Sequence, residues 1–283
     1  MTSICSRRGL LQFAAAMLPL KAINMSKSLM SFESSTNEGQ AGPVSDLFPS
    51  QPADLVREMV TVSHFNLKRI KELIEARPSL AKAAWDWGFG DWETALGAAS
   101  HMGNRPIAEF LIANGARPSL FSAAMLGQIE VMKAFVAVSP HAERIRGPHG
   151  ISLLAHAKAG GDGARPVVEF LQSLGDADAD PTAPLSDDDA AALAGTYSFG
   201  VGVTQQIDLT IDRRQGVAAM YSPLTWTRKG TIGRPLVHLG DHTFYPAGAP
   251  SVRIRFSQDK DGVVMTVHDP ALVLTARRKQ LGV

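Results

Sequence analysis

The chain has 283 residues, of which 45% are apolar and 19% charged, with a formal net charge of +1. That length holds two ordinary domains with packed cores, and the near balance of charge excludes the basic face on which nucleic-acid binding depends. It also points to no strongly anionic or cationic partner surface.

The chain opens on Ser6-Arg7-Arg8-Gly9-Leu10-Leu11-Gln12, followed by Phe13, three alanines, Met17, Leu18, Leu20 and then Lys21. This stretch resembles the twin-arginine export signal, whose pattern is S-R-R-x-F-L-K. Its apolar run is too short to span a bilayer. The resemblance implies that residues 1–32 direct a folded chain to the periplasm or another extracytoplasmic site, with no transmembrane span in the mature chain. Cys5, the single cysteine, lies inside this segment, so its removal leaves no thiol for a disulfide or for catalysis. Residues 33–53 are rich in Ser, Gly, Pro and Asn without apolar periodicity, and read as a flexible linker.

From 54 to 174 the pattern is helical and paired. Thr94-Ala95-Leu96-Gly97-Ala98-Ala99-Ser100-His101-Met102-Gly103 leads into Ile107 to Ile112 and then Asn114-Gly115-Ala116. This resembles an ankyrin repeat, in which small alanines let an inner helix pack closely and glycine turns the chain into an outer helix. Similar strings run from Ala123, from Ser152 and, more divergently, from Val60. The inner-turn residues Asn66, Gly103, Gly127 and Gly163 are separated by 37, 24 and 36 residues, against roughly 33 in the family. The resemblance implies an ankyrin-type α-solenoid of about four repeats whose two long connections, 81–93 and 139–151, overhang a concave cleft.

The first of these fingers carries Trp85, Asp86, Trp87, Asp91, Trp92 and Glu93; the second carries His141, Arg144, Arg146 and His149. Tryptophans in such a finger can anchor a protein or stack on a sugar or aromatic ligand, or can pack the finger onto its helices. His64 and His101 fall at equivalent positions of consecutive inner helices, which makes them neighbours. They could form an acid/base pair with Asp86, Asp91 or Glu93 as carboxylate partner, could ligate a metal together with His149, His156, Asp86 or Asp91, or could serve packing alone. Neither H-E-x-x-H nor C-x-x-C is present, and the reading assigns no metal and no cofactor. Arg144 and Arg146 could hold a carboxylate or phosphate, or simply be solvated.

Residues 175–192 form an acidic Pro/Ala linker. The spacing of Asp176, Asp178 and Asp180 suggests a calcium loop, but Pro181 stands where such a loop needs glycine and Asp187 where it needs glutamate. From 193 to 280 short alternating segments recur, at 196–203, 206–211, 217–221, 235–239, 252–256 and 263–268, with turns at Gly240-Asp241, Pro246-Ala247-Gly248 and Asp259-Lys260-Asp261-Gly262. Leu193-Ala194-Gly195-Thr196-Tyr197, Leu239 to Pro246 and Ile254-Arg255-Phe256 resemble the lipocalin-like domain appended to some exported serine hydrolases. The resemblance implies a barrel that packs on or lids its neighbour without supplying chemistry. G-x-S-x-G is absent.

The expected fold is therefore multidomain α and β: an ankyrin-type α-solenoid followed by a small antiparallel β-barrel or sandwich. The leading functional expectation is an exported binding module that holds a protein partner or small-molecule ligand in a Trp/His-lined cleft. In this reading Trp85, Asp86, Trp87, Trp92, Glu93, Arg144, Arg146, His149 and His156 bind. The alternative is an extracytoplasmic lyase or hydrolase acting on a carbohydrate or aromatic glycoside through a His/carboxylate pair.

Overall fold

The computed structural model describes residues 49–177, 182–200, 206–215, 222–231, 233–270 and 272–279. The export segment, most of the first linker, Asp178, Asp180, Pro181 and the strand expected over 217–221 lie outside them. All described residues belong to one compact unit, 45–283, and among them no helix is long and apolar enough to cross a membrane.

The helical half comprises α1 (Ala53–Val62), α2 (Leu67–Ala76), α3 (Ala95–His101), α4 (Arg105–Ala113), α5 (Leu120–Met125), α6 (Ile129–Val138), α7 (Leu153–Ala159) and α8 (Arg165–Ser173). Their starts are set by short polar side chains. Asn66, Thr94, Asn104, Ser119 and Ser152 each accept a backbone N–H of the first turn, which satisfies a donor the helix cannot. Between α2 and α3 the chain forms a small hairpin, β1 (Ala84–Asp86) with β2 (Trp92–Thr94), in which Trp85 pairs with Glu93.

An ankyrin-type solenoid is not what these helices build. They are 6 to 10 residues long. In a solenoid each repeat touches only its neighbours, whereas α3 packs on α7 as well as on α1 and α5. The uneven spacing of the inner turns explains the difference. Between Gly103 and Gly127 the chain fits α4 and then only a six-residue α5 with buried Ser122, Ala123 and Ala124, and α3 meets α7 across α5. At Gly103 (φ +68) a Cβ would strike the carbonyl of Ala159 at the end of α7. The apolar interior divides into two clusters, one around Met59, Ile70, Leu96 and Ile107, the other around Met132, Leu153, Val167 and Leu171.

The remainder is a closed antiparallel barrel, as the alternation of the C-terminal segments requires. A short helix, α9 (Asp187–Leu193), capped by Ser186, starts within the stretch read as linker. It leads into β3 (Gly195–Phe199), β4 (Ile207–Arg213), β5 (Leu224–Arg228), β6 (Arg234–Gly240), β7 (Thr243–Pro246), β8 (Arg253–Asp259), β9 (Gly262–Asp269) and β10 (Leu272–Arg278). Sequential strands pair and β10 closes on β3. The β8–β9 hairpin turns at Lys260-Asp261, as expected. Tyr197, Trp226, Leu236, Phe244, Ile254, Phe256 and Met265 fill the interior. Phe89, at the tip of the β1–β2 hairpin, packs edge-on against Trp226 at 5.4 Å, so the hairpin is clamped between the helices and the barrel.

Candidate active site

The hairpin sets the centre of the site. Successive side chains of a strand face opposite ways, so Glu93 turns inward and is wholly buried while Trp92 and Thr94 face out. Trp87 Nε1–H donates to Glu93 Oε2 at 2.8 Å. Thr94 caps α3, and the seven residues of α3 end on His101, whose Nε2 lies 2.9 Å from Glu93 Oε1. His64, in the turn after α1, brings its Nε2 to 3.2 Å from His101 Nε2 and 3.7 Å from Glu93 Oε2. His149 Nε2 stands 3.4 Å from Glu93 Oε1.

His149 is held by an unusual backbone. It sits at φ 59 in the turn Pro148–Gly150, a left-handed conformation that costs energy for a non-glycine residue. The turn presents both its N–H and its ring to Asp91, at 2.9 Å to Oδ1 and 2.8 Å to Oδ2. Asp91 also accepts Arg234 Nη1–H at 2.7 Å, a bond that reaches from the first residue of β6. The same Arg234 Nη1 donates to the Ala247 carbonyl at 2.9 Å. Gly248 lets the barrel rim come this close, because a Cβ there would lie 2.5 Å from the Asp91 carboxylate.

These contacts set the charges. Burial pushes the Glu93 carboxyl up, but the bonds from His101 and His149 and the charges of His149 and His64 outweigh it and hold it at about 2. Burial likewise pushes Asp91 up, and His149 and Arg234 hold it below the usual carboxylate range. For His149 burial works downward, yet Asp91 and Glu93 raise it to about 9. Two buried carboxylates are thus kept ionised by a ring of imidazoles and one guanidinium.

Two members of the cluster, His64 and His149, face a cavity of about 710 Å³ between the helices and the barrel rim, with Glu93 and His101 behind them. His64, Phe65, Trp85, Asp86, Trp87, Met102 and His149 line it from one side, Gly230, Gly233, Arg234, Pro235 and Ala247 from the other. A largely apolar cavity of this size, with a few convergent polar groups, suits a small molecule.

Of the residues singled out in the sequence, His64, Asp91, Glu93, His101 and His149 come together, with Trp85, Asp86 and Trp87 beside them. His156 is wholly buried behind His101, their rings 6.4 Å apart. Its Nδ1 is 2.8 Å from the Ser152 carbonyl, and burial drives it down to about 4. Three others stand apart from the cavity wall. Trp92 is 63% exposed, Arg144 is bound to Asp176, and Arg146 forms an isolated bridge with Ser152 in the segment leading to His149. Arg234 was not anticipated. The signal for it is a cation at the inward phase of a barrel strand, in step with buried Leu236 and His238. A scan against protein-family models and a search of curated proteins return no match for the chain.

Proposed function

We propose that this chain is an enzyme that hydrolyses or eliminates within a small, ring-bearing substrate, a carbohydrate or aromatic glycoside, at the His/Glu cluster of the cavity wall. One observation carries the reading: a wholly buried glutamate with three imidazole Nε2 atoms around it, two of which, those of His64 and His149, open onto a ligand-sized cavity. A receptor for an apolar ligand gains affinity from apolar walls. Buried carboxylates and imidazoles add desolvation cost without adding apolar affinity, and groups held in this way are characteristic of sites that move protons or polarise water.

The cavity's aromatic residues fit a flat or ring-shaped substrate. Trp85, Trp87 and Phe65 offer faces on which a sugar or aromatic ring stacks. The alternative of a protein captured by the tryptophan finger draws on Trp92 alone, since Trp85 and Trp87 line the cavity. The Ser6–Gln12 motif supports export of the folded chain, so the reaction is placed outside the cytoplasm.

The test is turnover of a panel of p-nitrophenyl glycosides by the full chain. Glu93→Gln and His101→Ala should each lower it by about 100-fold or more while the circular dichroism spectrum stays intact. Absence of turnover across the panel, or turnover unchanged in both variants, contradicts the proposal.

A further inference from the structure

We infer that the Nε2 atoms of His64, His101 and His149 and the carboxylate of Glu93 bind one divalent first-row transition-metal ion at the cavity wall. The inference deepens the enzymatic reading of the same cluster, but it stands on the donors rather than on turnover.

The donors are spaced for a single ion. One ligand atom from each of the four residues lies within 4.8 Å of the others. Ligands about 2.1 Å from a common tetrahedral centre stand about 3.4 Å from one another. Glu93 Oε1 lies 2.9 Å from His101 Nε2 and 3.4 Å from His149 Nε2, the His64 and His101 Nε2 atoms are 3.2 Å apart, and His64 Nε2 is 3.7 Å from the second oxygen, Glu93 Oε2.

The groups behind the rings orient the Nε2 atoms toward the same point. His64 Nδ1 lies 3.1 and 3.0 Å from the carbonyls of Val60 and Thr61. Carbonyls only accept, so in the neutral ring Nδ1 carries the proton and Nε2 presents a lone pair. His149 Nδ1 lies against the Asp91 carboxylate, which keeps the proton there, so Nε2 is the nitrogen that gives up its proton to a metal. A carbonyl or carboxylate behind the distal nitrogen is how metal-binding imidazoles are oriented and made more basic.

A buried carboxylate is satisfied by two or three donors, and Trp87 Nε1 and His101 Nε2 already serve Glu93. The Nε2 atoms of His64 and His101 face each other at 3.2 Å, so without an ion a single His101 N–H must be shared between His64 and Glu93, and a cation between them takes the place of that proton. Three imidazoles and one carboxylate, without a thiol, favour zinc or another first-row divalent ion over calcium or magnesium. His64 and His149 line the cavity and supply the path of entry.

The experiment uses the full chain, stripped with a chelator and titrated with Zn²⁺ against a chromophoric competitor, then with Co²⁺ read by visible absorption. One ion per chain is expected, with ligand-field bands for cobalt. Glu93→Gln and His64→Ala should weaken binding by at least about 100-fold. His64 sits in a turn at the cavity edge, so its removal keeps the test open if the buried glutamate variant fails to fold. Asp91→Asn, which spares all four donors, should weaken binding by about 10- to 100-fold. No stoichiometric ion, or affinity unchanged in both Glu93→Gln and His64→Ala, overturns the inference. Turnover of the glycoside panel separates the two proposals. An ion bound without turnover removes the enzymatic reading and leaves the metal site, whereas Glu93-dependent turnover with no ion bound removes the metal site and leaves the enzyme.

Discussion

The two halves of the molecule treat buried polarity in opposite ways. Arg234 at the rim aside, the barrel interior is apolar apart from groups bonded to nearby main chain: Tyr197 O–H donates to the Leu193 carbonyl at 2.7 Å, and His238 Nδ1 lies 3.1 Å from the carbonyls of Ala183 and Pro184. The helical half instead buries Asp91, Glu93 and His156 around one point. Small helices with alanine-rich contacts leave room for such a cluster, and a closed barrel packed with aromatic rings does not. The barrel acts as a scaffold and contributes one charged group, Arg234, across the boundary.

The sharpest way to break this contrast is to remove that group. Arg234→Met leaves Asp91 buried without its guanidinium, and loss of one partner of a buried pair costs about 3–5 kcal/mol. Chemical denaturation should show a loss of that size; a loss below about 1 kcal/mol would mean that the barrel is electrostatically idle at the site.

A second prediction concerns pH. His156 titrates near its ordinary 6.5 when unfolded and near about 4 in the fold. Between those values the unfolded chain binds the extra proton, so stability falls as pH drops from 6.5 toward 4, by about 3 kcal/mol in all. His149 works in the other direction: its value is raised from 6.5 to about 9, so its contribution is complete below 6.5 and is lost as pH rises through 9. Chelator-treated protein should therefore be most stable near pH 6.5. His156→Leu should flatten the acid limb between 6.5 and 4.5, above the range in which carboxylates titrate, and leave the alkaline limb in place. An acid limb unchanged in that variant would show that His156 is not its source.

The smallest effects separate the tryptophans. Trp87→Phe removes the N–H that Glu93 accepts and should cost about 1.5–3 kcal/mol. Trp92→Ala, on the outward face of the same hairpin, should fall within about 0.5 kcal/mol of the parent in thermal unfolding. Equal costs for the two would mean that the strand phase assigned here is wrong.

Much of this was legible in the residues. Alternation and hairpin turns pointed to a barrel or sandwich, although β5, β7 and β10 were not separated as strands. The equivalence of His64 and His101 brought the two rings together, and the density of Trp, Asp and Glu in 84–93 marked the hairpin. Other features were not legible, for identifiable reasons. A local motif carries no information about α3 touching α7, so the alanine and glycine signature suggested a solenoid that the shortened α5 does not permit. Arg234 lies 143 residues from Asp91, and no spacing rule connects them. Arg144 reads as a ligand-binding cation until Asp176 is found bound to it.

The most direct measurement is diffraction from crystals of the full chain grown with Zn²⁺ or Co²⁺, recorded at the metal's absorption edge. The account predicts one anomalous peak among His64, Glu93, His101 and His149, about 2.0–2.2 Å from each ligand atom. No peak there, or a peak only at surface carboxylates, would contradict it.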